Sequence, residues 1–335
     1  MSISDADWEA ATGLLSSHNE VVLTCHVGPD GDALGSMLAL GIALRRHGTT
    51  VSASWGSEPF EVPSAYASLP GLDLLVPACQ VPASPGLLCA FDTGSVDRLG
   101  SLANRVAAAD DVLVVDHHAS NTLFGTVNLV DTEAAATAVV VVGLLDRLGL
   151  PLTAEVAAPI YTGLVTDTGS FKYAATTPAV HQLAARLLAT GIRHDVISRE
   201  IWDTAPFGYV QLLGSVCLRA VLEVAAADGL GLVWTTVEAA DYDRSGLGLA
   251  DVEGVIDVLR TAREAEVAVV LKHDPSDGTT KVSARSKGRV DVGRICVTLG
   301  GGGHRFAAGF TSYDDVATTV ARLRDELSLA PHLAA

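Results

Sequence analysis

The run EVVLTC (20–25) passes directly into His26-Val-Gly-Pro-Asp30-Gly-Asp32-Ala-Leu-Gly-Ser36, and this join decides the fold class. A short, near-continuous apolar run reads as a strand covered on both faces. A Gly- and Pro-containing turn then hands the chain to a helix-like stretch over 33–47. The alternation repeats outward. Residues 51–55, 86–91 and 111–115 read as further strands, and 132–148 and 154–166 as helices, while Pro178 opens another helix that Gly191 closes. Alternating β and α elements predict an α/β fold with a doubly wound, mostly parallel sheet, which binds ligands at the carboxyl ends of its strands.

A second unit reads differently. Apolar runs at 216–224 and 230–236, around Ala227-Asp228-Gly229, suggest a hairpin. A helix over 249–263 and strands over 267–272 and 281–285 follow. We expect two domains, 1–207 and a smaller α/β domain over 208–335, with the Pro-containing stretch 202–208 as the hinge.

Bulk properties narrow the function. Of the 335 residues, 49% are hydrophobic but only 5% aromatic, which suits small side chains packed on parallel strands. Mean hydropathy is +0.35, yet no uninterrupted apolar run reaches the roughly 20 residues of a spanning helix. The acidic start MSISDADWEAATGLL lacks the basic segment of a signal peptide, so a cytoplasmic protein without membrane partners is expected. The five cysteines are scattered and never in CxxC spacing, as expected of buried thiols in a reduced compartment. A net charge of −17 argues against coating long nucleic acid. The segment 281–305 departs from this, with six Lys or Arg and one acid, Asp291. It suits a local phosphate pocket.

Polar clusters stand where strands end. His26, Asp30 and Asp32 follow the first run, Asp92-Thr-Gly94 the third and Asp116-His117-His118 the fourth, while Asp167-Thr-Gly-Ser170 ends an apolar helix. Alone, Asp-Gly-Asp could be a turn and helix cap, and a lone Asp at a strand end is more often a cap than a ligand. Together, three of the clusters share one active edge of a parallel sheet. So many carboxylates without counter-charge would repel each other and resist desolvation. Divalent cations resolve that conflict. Oxygen-rich ligands with imidazoles and no thiolate disfavour structural zinc, and Mg²⁺ rarely takes histidine. Mn²⁺ suits the set, with Co²⁺, Fe²⁺ or Mg²⁺ as substitutes. Six or seven ligands exceed one ion's needs, so two ions roughly 3.5–4 Å apart are expected, the arrangement used in phosphoester hydrolysis.

The ordered set His26-x-x-x-Asp30-x-Asp32, Asp92, Asp116-His117-His118 and Asp167 resembles the four motifs of the DHH phosphoesterase superfamily. Gly300-Gly-Gly-Gly303-His304, preceded by Ser283-Ala-Arg285-Ser286, resembles the signature of its DHH-associated substrate-binding domain. The resemblance spans roughly residues 12–328. Asp116-His-His-Ala-Ser-Asn-Thr-Leu-Phe-Gly125 and the compact length look most like the bifunctional oligoribonuclease and phosphoadenosine-phosphate phosphatase (nanoRNase) group, whose actinobacterial members are associated with cyclic di-AMP breakdown.

The resemblance implies His26, Asp30 and Asp92 on one Mn²⁺ and Asp32, Asp92, His117 and Asp167 on the other, with Asp92 bridging. It implies His118 facing the substrate phosphate, with Asp116 orienting the histidine pair. Ser283, Arg285, Gly301, Gly302, Gly303 and His304 would bind the nucleotide in a cleft between the domains. Arg285 is the candidate phosphate clamp, its planar fork matching two phosphate oxygens. Implied substrates are short oligoribonucleotides, phosphoadenosine phosphate, pApA and cyclic di-AMP, and the family suggests a homodimer. Long duplexes are not expected. Rival readings are a family II inorganic pyrophosphatase, whose basic C-terminal motif is replaced here by Gly-Gly-Gly-His, a longer single-strand exonuclease, and a cyclic-dinucleotide sensor without turnover.

Overall fold

The computed structural model describes residues 3–333. Contacts divide the chain into two units, Met1–Thr204 and Ala205–Ala335.

The first unit runs α1 (Asp5–Ser17), β1 (Glu20–Cys25), α2 (Gly31–Arg46), β2 (Thr50–Trp55), β3 (Leu87–Phe91), α3 (Ala103–Ala108), β4 (Asp111–Asp116), β5 (Val127–Val130), α4 (Thr137–Arg147), α5 (Ala154–Asp167), α6 (Pro178–Leu188) and α7 (His194–Trp202). Its sheet has the order β2-β1-β3-β4-β5, with every neighbouring pair parallel. The expected parallel α/β domain is therefore present. Alternate strand residues serve two cores. Leu23, Cys89 and Val115 face the layer that contains α2, α4 and α5, while Val22, Leu88 and Val114 face the thinner cover around Leu99 and Leu102. Neither face meets water, which is why these strands carry no polar alternation.

Helix α2 lies between the sheet and α5 and is buried from Gly31 to Leu44. The close approach depends on missing side chains. A Cβ on Gly35 would sit 2.3 Å from the Pro159 carbonyl oxygen of α5, and one on Gly163 would sit 2.6 Å from the Asp32 carboxylate. Both acidic helix ends, at Asp32 and Asp167, are set by this contact.

The second unit runs α8 (Phe207–Leu218), β6 (Val221–Glu223), the single turn α9 (Ala226–Gly229), β7 (Leu232–Val237), α10 (Ala239–Ser245), α11 (Val255–Leu259), β8 (Val267–His273), β9 (Thr280–Ser286), α12 (Val292–Thr298), β10 (Gly302–His304), β11 (Ala307–Ser312) and α13 (Val316–Leu329). Its sheet, β10-β11-β9-β8-β7-β6, is mixed, with β7–β8 parallel and the other pairs antiparallel.

Several sequence expectations are corrected. The run read as a strand over 216–224 is split, 216–218 ending α8 and β6 keeping only Val221–Glu223. A fully apolar helix end has the same composition as a buried strand. The helix expected over 249–263 is broken into a 3₁₀ turn, Leu249–Val252, and α11. Gly302 and Gly303, read as loop, pair with Gly309 and Ala308 in the edge strand β10. Among the described residues, no helix is long and apolar enough to cross a membrane.

Gly35→Ala should destabilise the full chain by about 1–3 kcal/mol through overpacking against backbone. Gly13→Ala in exposed α1, where nothing lies within 4 Å of the new Cβ, should stabilise by about 0.5–1 kcal/mol. Urea midpoints of the two variants measure the contrast, and equal midpoints would rule out the tight α2–α5 contact.

Candidate metal centre

Strand register aligns the motifs. Cys25 pairs with Phe91, and Phe91 pairs with Val115. The residues that follow, His26, Asp92 and Asp116, therefore leave three adjacent strands at one level of the carboxyl edge. β1 and β3 also flank the point where strand order reverses, the usual ligand crevice of such sheets.

Asp92 is the hub. Its φ of 53° lies in the left-handed region, a conformation that costs a non-glycine residue on the order of 1–3 kcal/mol. Its N–H donates to the Val115 carbonyl at 3.0 Å. The turn swings a carboxylate that is 3% exposed inward from the sheet edge. Oδ2 lies 3.5 Å from His26 Nε2, while Oδ1 lies 3.6 Å from His117 Nε2 and accepts the Thr137 hydroxyl at 2.8 Å. The two oxygens thus face different histidines.

On one side, His26 Nδ1 donates to the Val27 carbonyl at 3.0 Å, which turns Nε2 toward Asp92 and toward Asp30 Oδ2 at 3.7 Å. Asp30 caps α2, Oδ1 accepting from the N–H groups of Asp32 and Ala33. On the other side, His117 Nδ1 donates to the Ala134 carbonyl at 3.1 Å, and Nε2 lies 3.1 Å from Asp167 Oδ2 at the end of α5. Asp32 is wholly buried. Its oxygens accept from Thr137 N at 2.5 Å, Ala138 N at 2.9 Å and the Ser36 hydroxyl at 3.2 Å, so a carboxylate from α2 caps α4. Asp116, also buried, accepts from His118 Nδ1 at 2.7 Å and from Asn121 Nδ2 at 2.6 Å. It orients His118, whereas Ala134 holds His117. Cap and candidate ligand are the same residues at Asp30 and Asp32.

Charge balance explains the protonation tendencies. Burial, then Asp92 and Asp167, push Asp32 well above the carboxylate range. Burial likewise takes Asp167 to about 6, against the pull of His117. Burial also acts to raise Asp92, but the His26 hydrogen bond and the charges of His118 and His117 outweigh it and hold Asp92 far below its ordinary value. Burial acts to lower His26, His117 and His118, and their aspartates overcome it and raise all three. Among the described residues, the ion pairs of Asp30, Asp92, Asp116 and Asp167 are with histidines alone. Ligand atoms of His26, Asp30 and Asp92 lie within 4.8 Å of one another, as do those of Asp32, Asp92 and His117. Carboxylate oxygens and the Nε2 atoms of His26 and His117 converge, and the Nδ1 of each of these two is tied to a carbonyl. That donor set fits divalent cations.

The second unit places Ser283, Arg285, Gly302 and His304 on one sheet face. Ala307 of β11 pairs with Arg285 on one side and His304 on the other, and Gly309 pairs with Ser283 and Gly302. Val282, Ala284, Ala308 and Phe310 alternate with them and fill the core. Gly301 precedes β10, where a Cβ would fall 2.1 Å from the Gly309 carbonyl oxygen. Gly303, with φ 134°, pairs with Ala308. Sequence reasoning missed Thr137, Asn121 and the Ala134 carbonyl. Only Asn121, close behind Asp116-His117-His118, left a trace in the sequence.

The DHH family N-terminal domain model matches residues 20–164, and the DHHA1 domain model matches 239–329. Over 97% of both chains, the sequence is 33% identical to the bifunctional oligoribonuclease and PAP phosphatase NrnA of Thermus thermophilus. The chain belongs to the DHH family. It is a DHH/DHHA1 phosphoesterase, and its carboxylate and imidazole cluster falls within the matched N-terminal domain except for Asp167, three residues beyond the match. Two solved structures share the fold of this DHH chain. An exopolyphosphatase-related protein from Bacteroides fragilis aligns with TM-score 0.87 at 23% identity, covering 98% of this chain and 97% of that one. RecJ from Thermus thermophilus, in complex with Mn²⁺, aligns with TM-score 0.55 at 13% identity, covering 99% and 56%.

The pH dependence of stability follows from the shifts. Asp167 keeps its proton on folding between its ordinary 3.8 and about 6, so stability falls as pH rises through that window. The raised histidines stabilise the fold below their unfolded value of about 6.5, and that contribution is lost as pH rises through their higher folded values. Both trends have one sign. Chelator-treated protein should show a urea midpoint that declines from about pH 5 to about pH 8, and Asp167→Asn should flatten the acidic part of the decline. A midpoint rising over that range would contradict the electrostatics described.

Proposed function

We propose that the chain is a manganese-dependent phosphoesterase that hydrolyses small nucleotide phosphoesters to nucleoside monophosphates. The substrates are short oligoribonucleotides, phosphoadenosine phosphate, and pApA or cyclic di-AMP. The observation that carries this reading is the disposition of Asp92, whose two oxygens face His26 and His117 separately. In this reading His26 and Asp30 share one ion with Asp92, and Asp32, His117 and Asp167 share the other. The Mn²⁺ held by RecJ supports the metal, and the two activities named for the Thermus thermophilus relative support the substrate class. Bound ions would supply Lewis-acid stabilisation of phosphate charge and activation of water at neutral pH.

The chain's own residues do the rest. Asp116 fixes the His118 ring through Nδ1 and favours the imidazolium. That ring can donate to a phosphate oxygen and pass a proton to the leaving oxygen. On the second unit, Arg285 and His304 receive the phosphate and base of a nucleotide. Gly301, Gly302 and Gly303 let it approach the backbone, and Ser283 offers a hydroxyl.

Chelator-stripped protein should be inactive on phosphoadenosine phosphate and regain activity best with Mn²⁺. Asp92→Ala should lose more activity than Asp30→Ala, because it faces both groups. Undiminished turnover by stripped protein, or by Asp92→Ala, would refute the metal assignment. Arg285→Ala should lower kcat/KM for nucleotides about ten- to a hundredfold, the worth of one charge-assisted phosphate contact. Bis-p-nitrophenyl phosphate, which has no nucleotide to grip, should change far less. Parallel losses on both substrates would remove Arg285 from substrate selection.

A further inference from the structure

We infer that Thr137 is a positioning residue that locks the two most buried candidate ligands, Asp32 and Asp92, into one fixed relation. The inference rests on the metal reading above and adds to it a residue outside every motif. Thr137 is wholly buried and opens α4. Its N–H donates to Asp32 Oδ2 at 2.5 Å, and its hydroxyl donates to Asp92 Oδ1 at 2.8 Å. The next N–H, of Ala138, takes the other Asp32 oxygen at 2.9 Å. A single residue therefore spans a carboxylate from the start of α2 and one from the end of β3.

The geometry follows from the helix start. The residue before Thr137 is Ala136, extended at φ −165° and ψ 154° and without a side-chain oxygen to cap α4. Asp32 fills that role from another element, so α4 and α2 are registered through a carboxylate instead of through apolar contact alone. Asp92 sits in a left-handed turn beside other acids that repel it. A donor is needed to hold its Oδ1, and the kind of donor matters. Lysine or arginine there would neutralise the site and compete with cations. A hydroxyl orients the oxygen without adding charge, and Asp92 keeps His26, His117 and His118 within 3.6 Å. This is the outer-shell support that ligating carboxylates need.

The test compares Thr137→Val, which keeps the shape and the N–H but removes the hydroxyl, with Thr137→Ser, which restores it. Mn²⁺ binding to the chelator-stripped full chain is measured by calorimetric titration, alongside kcat and KM on phosphoadenosine phosphate and the urea midpoint in chelator. Thr137→Val should weaken Mn²⁺ binding about ten- to a hundredfold, the usual cost of losing an outer-shell partner. It should lower kcat more than it raises KM, with the chelator midpoint near wild type because the cap on α4 remains. Thr137→Ser should bind Mn²⁺ within about threefold of wild type, since the hydroxyl is what counts. If Thr137→Val does not fold, Thr137→Ala removes the same hydroxyl and takes its place. Mn²⁺ affinity unchanged in Thr137→Val, or Thr137→Ser as impaired as Thr137→Val, would overturn the inference. Wild-type protein that binds no Mn²⁺ would overturn the metal reading on which it rests.

Discussion

Mutual repulsion among clustered carboxylates is the constraint around which the first unit is organised. Asp30, Asp32, Asp92 and Asp167 meet where the sheet ends, with imidazoles as their only ionic partners among the described residues. Each acid is held by a different device. Asp30 caps its own helix, Asp32 caps a neighbouring one, Asp92 is fixed by a strained turn and a threonine hydroxyl, and Asp167 pairs with His117. Helix N-termini serve well here because they bring partial positive charge without a competing cation. A site neutralised by lysine would be more stable and unable to recruit a divalent ion.

The sheet converts distant motifs into neighbours. In the order β2-β1-β3-β4-β5, the β1–β3 pairing is the one sequence adjacency would not suggest. It is also the pairing that sets His26 beside Asp92. On the second unit, strand parity does the same sorting. Ser283 and Arg285 fall on one face, Val282 and Ala284 on the other. Gly303 of β10 and Gly309 of β11 let strands meet where a Cβ would collide with a carbonyl oxygen.

Much of this was legible in the sequence, for physical reasons that also mark where legibility stops. β1, β3 and β4 announce themselves because they are covered on both faces and so carry continuous apolar runs. The motif residues announce themselves because acids and histidines are costly at strand ends unless used. β5 is only four residues long and half buried, and β10 is mostly glycine, so neither has a period to detect. The last residues of α8, 216–218, are apolar enough to pass for the start of a strand. Thr137, Asn121 and the Ala134 carbonyl act through a hydroxyl, an amide and a backbone oxygen, groups so common that only folding reveals which of them matter.

The burial of α2 from Gly31 to Leu44 has a consequence for how the chain is made. A helix apolar on every side has no stable surface of its own in water. Its covering helix α5, and the α4 N–H groups that hold Asp32, lie far downstream, Ala138 standing 106 positions after Asp32. At roughly 5–20 residues per second of synthesis, α2 leaves the ribosome about 5–20 seconds before those partners exist. During that interval the face of α2 at Gly35, which meets Pro159 and Gly163 of α5, has nothing to dock against. The first unit can therefore close only after most of it has been synthesised.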